Sequence, residues 1–198
     1  MSHGISDSAR WPEGWAPDAK RVDSPNFGPR PTGVDINLAL IHSISLPPGV
    51  YGGDEIERLF TNQLDWTAHP YFEQIRGAEV SAHFVIRRDG ELLQFVSVHD
   101  RAWHAGRSSW QGRDNCNDYS IGIELEGLED TPFEAAQYLA LATLLTHAKA
   151  VLPITHVVGH EHVAPGRKRD PGSAFDWAAL QALLGWDSSC FPASITAV

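Results

Sequence analysis

Cysteine is scarce. The chain has two, Cys116 and Cys190, too few for a disulfide framework, which fits a reducing, cytosolic setting. Positive charge is also outweighed: the formal net charge is −10. That excludes the basic face a nucleic-acid binder needs, and a surface that seeks anionic lipid. No run reaches the roughly 18 apolar residues of a membrane span. The opening stretch, MSHGISDSARWPEGWAPDAKR, lacks the apolar core of a signal peptide, so a cytoplasmic location is expected. Nothing suggests a protein partner, and no internal repeat is present.

Histidine and tryptophan, by contrast, are plentiful. There are ten and seven in 198 residues, within an ordinary globular balance of 42% hydrophobic and 20% charged residues. The length suits one domain with a proper core. Residues 1–33, rich in Pro, Gly and Asp, read as an irregular arm anchored by Trp11, Trp15 and Phe27. A domain over 34–184 follows, then a loose tail over 185–198 without periodicity.

Gly159 through Gly172 is the densest stretch, with His160, His162, Lys168 and Asp170 before a proline-glycine turn. An imidazole and a carboxylate are both good zinc ligands. If the segment is extended, Lys168 and Asp170 point the same way. Taken alone, the stretch reads equally well as a charged loop.

Val34–His42 reads as a strand entering a buried sheet, with His42 as its last residue before Pro47-Pro48. In α/β sheets the C-terminal strand ends are where ligand-binding groups collect. Asp54 to about Leu64 has helical spacing. Val80–Ile86 and Glu91–Val96 flank Asp89-Gly90, a hairpin signal. His83 inside the first of these reads as a core or supporting histidine. Trp103-His104-Ala105-Gly106 suits a pocket wall.

Ser120–Gly127 alternates, with Ile121, Ile123 and Leu125 on one face and Gly122, Glu124 and Glu126 on the other. A mid-strand glutamate suits proton transfer if partly buried. The bland alternative is an edge strand with one wet face, and Glu126 reads as solvated. Thr131-Pro132-Phe133-Glu134 reads as a helix start with Thr131 as N-cap. That helix runs to about Val151 with an apolar face including Leu139 and Leu145. Thr155–Gly159 is a short buried strand that delivers His160. A last helix, Trp177 to about Leu184, is capped by the residues ending at Asp176.

His42, His160 and Asp170 are then three candidate ligands, leaving zinc one open position, as catalytic sites do. Glu124 is a candidate general base, and Lys168 a candidate for oxyanion stabilisation. The set describes amide hydrolysis. No G-x-S-x-G or H-E-x-x-H motif offers another route.

Several collinear stretches carry a resemblance: Leu40–Gly49, Val80–His83, Arg87–Gly90, Arg101–Gly106, Cys116–Gly127 and Gly159–Gly172. Through them the chain resembles the zinc-dependent N-acetylmuramoyl-L-alanine amidases, a family that includes the peptidoglycan recognition proteins. Within it, the resemblance is to the cytosolic branch acting on anhydro-muropeptides. It implies an α/β fold, a mixed central β-sheet flanked by α-helices. It implies one zinc per chain on His42, His160 and Asp170, with Glu124 and Lys168 catalytic. Trp103, His104, Ala105 and Asn117 would line the groove for a small muropeptide. The implied reaction cuts the bond between anhydro-muramic acid and the L-alanine of the stem peptide, in cell-wall recycling. Ser43 stands where asparagine is usual, and Asn115 where a basic residue is expected. The rival readings are a periplasmic relative acting on intact wall, a zinc-free recognition module and, less so, a structural zinc protein.

Overall fold

Ten strands, five α-helices and three short 3-10 turns make up the described residues, 11–192, of this computed structural model. In chain order the strands are β1 (Lys20–Arg21), β2 (Phe27–Gly28), β3 (Leu38–Ile44), β4 (Phe84–Ile86), β5 (Leu92–Gln94), β6 (Arg101–Ala102), β7 (Ser109–Trp110), β8 (Arg113–Asp114), β9 (Ser120–Glu126) and β10 (His156–Gly159). The helices are α1 (Glu55–Phe60), α2 (Pro70–Gln74), α3 (Ala135–Val151), α4 (His160–Val163) and α5 (Trp177–Leu184).

Six strands form the main sheet in the order β1-β5-β4-β9-β3-β10. Only β4 and β5 pair antiparallel, across the Asp89-Gly90 hairpin; the other pairs are parallel, so the sheet is mixed. Two-stranded ribbons, β2 with β6 and β7 with β8, lie outside it.

Period-two patterning sorts the central strands onto two faces. Ala39, Ile41, Ile121, Ile123 and Leu125 pack with Leu141, Leu145 and Ala148 of α3. Leu38, Leu40 and Val158 face the other way, against Ala105, Cys116 and Tyr119. A third cluster joins α1 and α2 to Val85, Leu93 and Phe95. Because β9 lies between β4 and β3, both of its edges are paired, and all seven of its residues are buried. Glu124 is therefore on a central strand.

Several expectations shift. β3 continues past His42 to Ile44, since pairing with β9 extends to Ile44↔Glu126. Strand structure in the 80–86 region begins only at Phe84. α1 ends at Phe60, short of Leu64. α3 begins at Ala135, not after Thr131: Gln137 Oε1 accepts the Glu134 N–H at 3.0 Å, and Phe133 packs over Gly127. Leu139 lies on the exposed side of α3. Asp176 does cap α5, accepting the Ala179 N–H at 2.9 Å.

The arm over residues 1–33 is less irregular than its composition implies, because β1 extends the main sheet and β2 joins β6. Its residues 1–10 lie outside the described residues. Trp11 is buried, but Phe27 is exposed and anchors nothing. The tail is not loose at its start either. Gly185 adopts φ 63° as the C-cap of α5, and Phe191 is buried in the α3-side core with Trp186 beside it. Residues 193–198 lie outside the described residues.

Candidate metal centre and active site

Register brings the site together. His42 on β3 pairs directly with Glu124 on β9, so both side chains rise from the same sheet face. β10 ends at Gly159 and delivers His160 as the first residue of α4. Gly159 has to be small: a Cβ there would lie 2.6 Å from Pro171 Cδ, so the turn carrying Asp170 folds tightly against the strand end. The Glu161 N–H donates to the Asp170 carbonyl at 2.9 Å and closes that loop.

His42, His160 and Asp170 are all buried, and one ligand atom from each lies within 4.8 Å of the others. His42 Nδ1 is 2.9 Å and His160 Nδ1 is 3.1 Å from the same oxygen, Asp170 Oδ2. Burial pushes the Asp170 carboxyl up, while positive or proton-donating charge on the imidazole side of its Oδ2 pulls it down more strongly, so Asp170 is an anion where such charge is present.

The proton positions test whether a metal fits. His160 Nε2 lies 2.9 Å from the Ala105 carbonyl, which can only accept, so the ring's proton sits on Nε2. In the neutral ring, Nδ1 then presents a lone pair to Asp170. Burial lowers His42 to about 4, so at neutral pH that ring carries no second proton. Lone pairs converging on a carboxylate oxygen are repulsive unless a cation lies among them. The donor set, two imidazole nitrogens and a carboxylate, suits zinc and leaves a coordination position open.

Glu124 lies beside this set, with Oε1 4.0 Å from His42 Nδ1. Its Oε2 is buried with no hydrogen-bond partner among the described residues. Burial, and then the charge of Asp170, push the Glu124 carboxyl well above its ordinary range, while Lys168 pulls the other way. Lys168 itself is exposed, and its segment is a turn, not extended chain: the Lys168 N–H donates to the Ala164 carbonyl at 3.0 Å.

The Trp103–Gly106 loop lies against the same centre but only partly as a groove wall. Trp103 and His104 are half-buried. Ala105 is fully buried, and both of its peptide groups are taken. Its N–H donates to Asn117 Oδ1 at 2.8 Å, and its carbonyl accepts from His160 and from Arg167 Nη2. Asn117 is buried too, and its Oδ1 also accepts the His104 N–H at 3.2 Å. Ala105 and Asn117 thus support the loop from within and do not form an open groove wall. Nothing local in the sequence marks these long-range bonds.

His83 is fully buried with both ring nitrogens satisfied. Nδ1 accepts the Gly122 N–H at 2.9 Å, and Nε2 donates to the Asp100 carbonyl at 3.1 Å. Burial, reinforced by Arg30, lowers it to about 3. Ser43 is half-buried on β3 directly after His42. Asn115 is exposed and sits at φ 57°, a left-handed backbone that asparagine tolerates well.

Glu126 departs most from expectation. It is 2% exposed and pairs with Arg87 Nη1 at 3.1 Å. It also accepts the Gly52 N–H at 2.7 Å and the Arg88 N–H at 3.3 Å. Arg87 in turn reaches Glu57 on α1 at 3.0 Å. This buried network ties the segment after β3 to the end of β9.

Fold and site together define a candidate metal-assisted hydrolase built on the C-terminal ends of parallel strands. Residues 32–173 match the family described as N-acetylmuramoyl-L-alanine amidase, and the chain belongs to that family. It is 50% identical over 176 residues to the 1,6-anhydro-N-acetylmuramyl-L-alanine amidase AmpD of Citrobacter freundii, covering 87% of this chain and 93% of that one. The crystal structure of a selenomethionine AmpD superposes with a TM-score of 0.84 at 50% identity, over 87% of this chain and 97% of that chain. A more distant neighbour, the amidase AmiD of Escherichia coli, matches at TM-score 0.56 and 28% identity, over 78% of this chain and 60% of that chain. It is described in complex with the substrate anhydro-N-acetylmuramic acid-L-Ala-D-gamma-Glu-L-Lys.

Proposed function

We propose that this chain is a zinc-dependent amidase that hydrolyses the bond between (anhydro-)N-acetylmuramic acid and L-alanine in soluble muropeptides, in cytosolic recycling of the cell wall. The observation that carries the reading is the convergence of His42 Nδ1, His160 Nδ1 and Asp170 Oδ2 beside an unpartnered, buried Glu124. Zinc held there would supply a Lewis acid and activate water for attack.

The chain's own groups do the rest. Glu124, with a raised carboxyl and a free Oε2, takes the proton of the attacking water and returns it to the leaving amine. The Lys168 ammonium, whose charge acts on Glu124, would stabilise the charge that develops on the former carbonyl oxygen. The half-buried Trp103 offers an aromatic face to the sugar or peptide. The names of the relatives support the substrate class, and so does the acidic balance of the chain, which disfavours an anionic wall polymer.

The test is to incubate the zinc-loaded protein with anhydro-muropeptide and with whole sacculi, and to identify products by mass spectrometry. Release of the peptide from the anhydro sugar, far faster than from sacculi, is the expected result. Comparable rates on both would move the reading to a wall-degrading relative, and no cleavage of either would overturn it.

A further inference from the structure

We propose that His104 is a positioning residue that fixes His42 as a metal ligand, through a hydrogen-bonded chain whose direction is set by one backbone carbonyl. The inference rests on the metal reading above. The chain starts at Cys116, whose carbonyl oxygen can only accept. The Ser120 hydroxyl donates to it at 2.6 Å, so the Ser120 proton is committed. His104 Nε2 lies 3.3 Å from Ser120 Oγ and must therefore be the donor. A neutral His104 is then bare at Nδ1, which can only accept. His42 Nε2 lies 3.0 Å from that nitrogen and must donate. His42 is left with its lone pair on Nδ1, the atom that faces Asp170.

Each step removes one choice, and the result is the tautomer a metal ligand needs. The neighbouring residue does the same for His160, since the Ala105 carbonyl holds the proton on His160 Nε2. One short loop thus orients both imidazoles from behind. Asn117 Oδ1 secures the loop by accepting the N–H groups of both His104 and Ala105.

The strand beneath is shaped for this ring. A Cβ on Gly122 would lie 2.4 Å from His104 Cγ and 2.6 Å from its Nδ1. Any side chain at 122 would push His104 away from His42. Gly122 is two residues before Glu124 on the same face of β9, so the strand that carries the candidate base also makes room for the positioning histidine.

The experiment measures zinc affinity of the full chain by chelator competition, with folding checked by circular dichroism. His104→Leu removes the acceptor for His42 Nε2 and should weaken zinc binding about 10- to 100-fold, the usual effect of losing such a partner. His104→Asn places an amide oxygen near the Nδ1 position and should recover most of that loss. Gly122→Ala, on a different element, should weaken binding in the same direction. Zinc binding by folded His104→Leu as tight as wild type would overturn the proposal, as would an Asn variant no better than Leu. If His104 served only as a substrate contact, KM would change and zinc affinity would not. Should His104→Leu fail to fold, nitrogen-15 NMR of the zinc-loaded wild type decides: Nε2 protonated and Nδ1 bare on His104 supports the chain, and the opposite tautomer overturns it. A wild-type protein that binds no zinc would instead overturn the metal reading itself.

Discussion

Replacing Glu126 with alanine should destabilise the protein by about 3 kcal/mol, the lower end of what breaking a buried ion pair costs. The estimate follows from the surroundings. Arg87 and Glu126 have side chains 9% and 2% exposed, so the guanidinium left behind has little water to turn to. It keeps Glu57 at 3.0 Å, which moderates the loss. Gly52 and Arg88 also lose an acceptor for their N–H groups, but Gly52 is exposed and Arg88 half-buried, so water replaces part of it. The assay is urea denaturation at pH 7 of wild type, Glu126→Ala, and the double variant Arg87→Met with Glu126→Leu. Removing both charges with apolar groups of similar volume should restore stability to within about 1 kcal/mol of wild type. A cost under about 1 kcal/mol for Glu126→Ala would refute the reasoning. So would a double variant as unstable as Glu126→Ala, because the penalty would then not come from an isolated buried charge.

Three further outcomes are expected. Asp170→Ala should lose zinc and activity together, by elemental analysis and turnover; full activity in a metal-free variant would count decisively against the site. Glu124→Gln should keep zinc and fold while kcat falls about 100-fold or more, and Lys168→Ala should behave alike, with effects that do not multiply when combined. Near-normal kcat in Glu124→Gln would demote that residue to a strand position. His83 should make the protein acid-sensitive. Its folded pKa of about 3 lies below the unfolded 6.5, so between these values the unfolded chain binds more protons and stability falls as pH drops. From pH 6.5 to 5 its share of the loss is about 2 kcal/mol. Unfolding measured at both pH values should show a flatter dependence for His83→Asn than for wild type, and identical slopes would exclude the assignment.

Local signals carried much of the site. Alternation along Ser120–Glu126 reveals which residues share a face, and that face holds Gly122 and Glu124. Asp89-Gly90 marks the hairpin, and Asp176 the start of α5. His42 and His160 stand out because continuous apolar runs lead into them. What stayed hidden depends on partners far away in sequence. Glu126 looks solvated until Arg87, 39 residues earlier, is brought beside it. Asn117 looks like a groove residue until its carboxamide is found holding the Ala105 peptide. The Thr131 start signal yields to the bond from Glu134 to Gln137, and Gln137 Nε2 also donates to the carbonyls of Ile86 and Glu126 and anchors the helix to the sheet. The start of the tail lacks periodicity, yet Phe191 finds the core, because one large ring can be buried without any repeat.

Arg30 lies just outside residues 32–173, the stretch that matches the family. Its guanidinium donates to the carbonyls of Val98, Asn117, Asp118 and Ser120, at 2.9 to 3.2 Å. A fragment trimmed to the family boundaries would retain every proposed ligand and both proposed catalytic groups. It would also leave four carbonyl oxygens without their donor, one of them on Ser120, at the foot of the histidine relay. The working unit is therefore expected to be longer than residues 32–173. Shuffling or minimising the enzyme has to carry the arm along, although no residue of the arm is assigned to the chemistry.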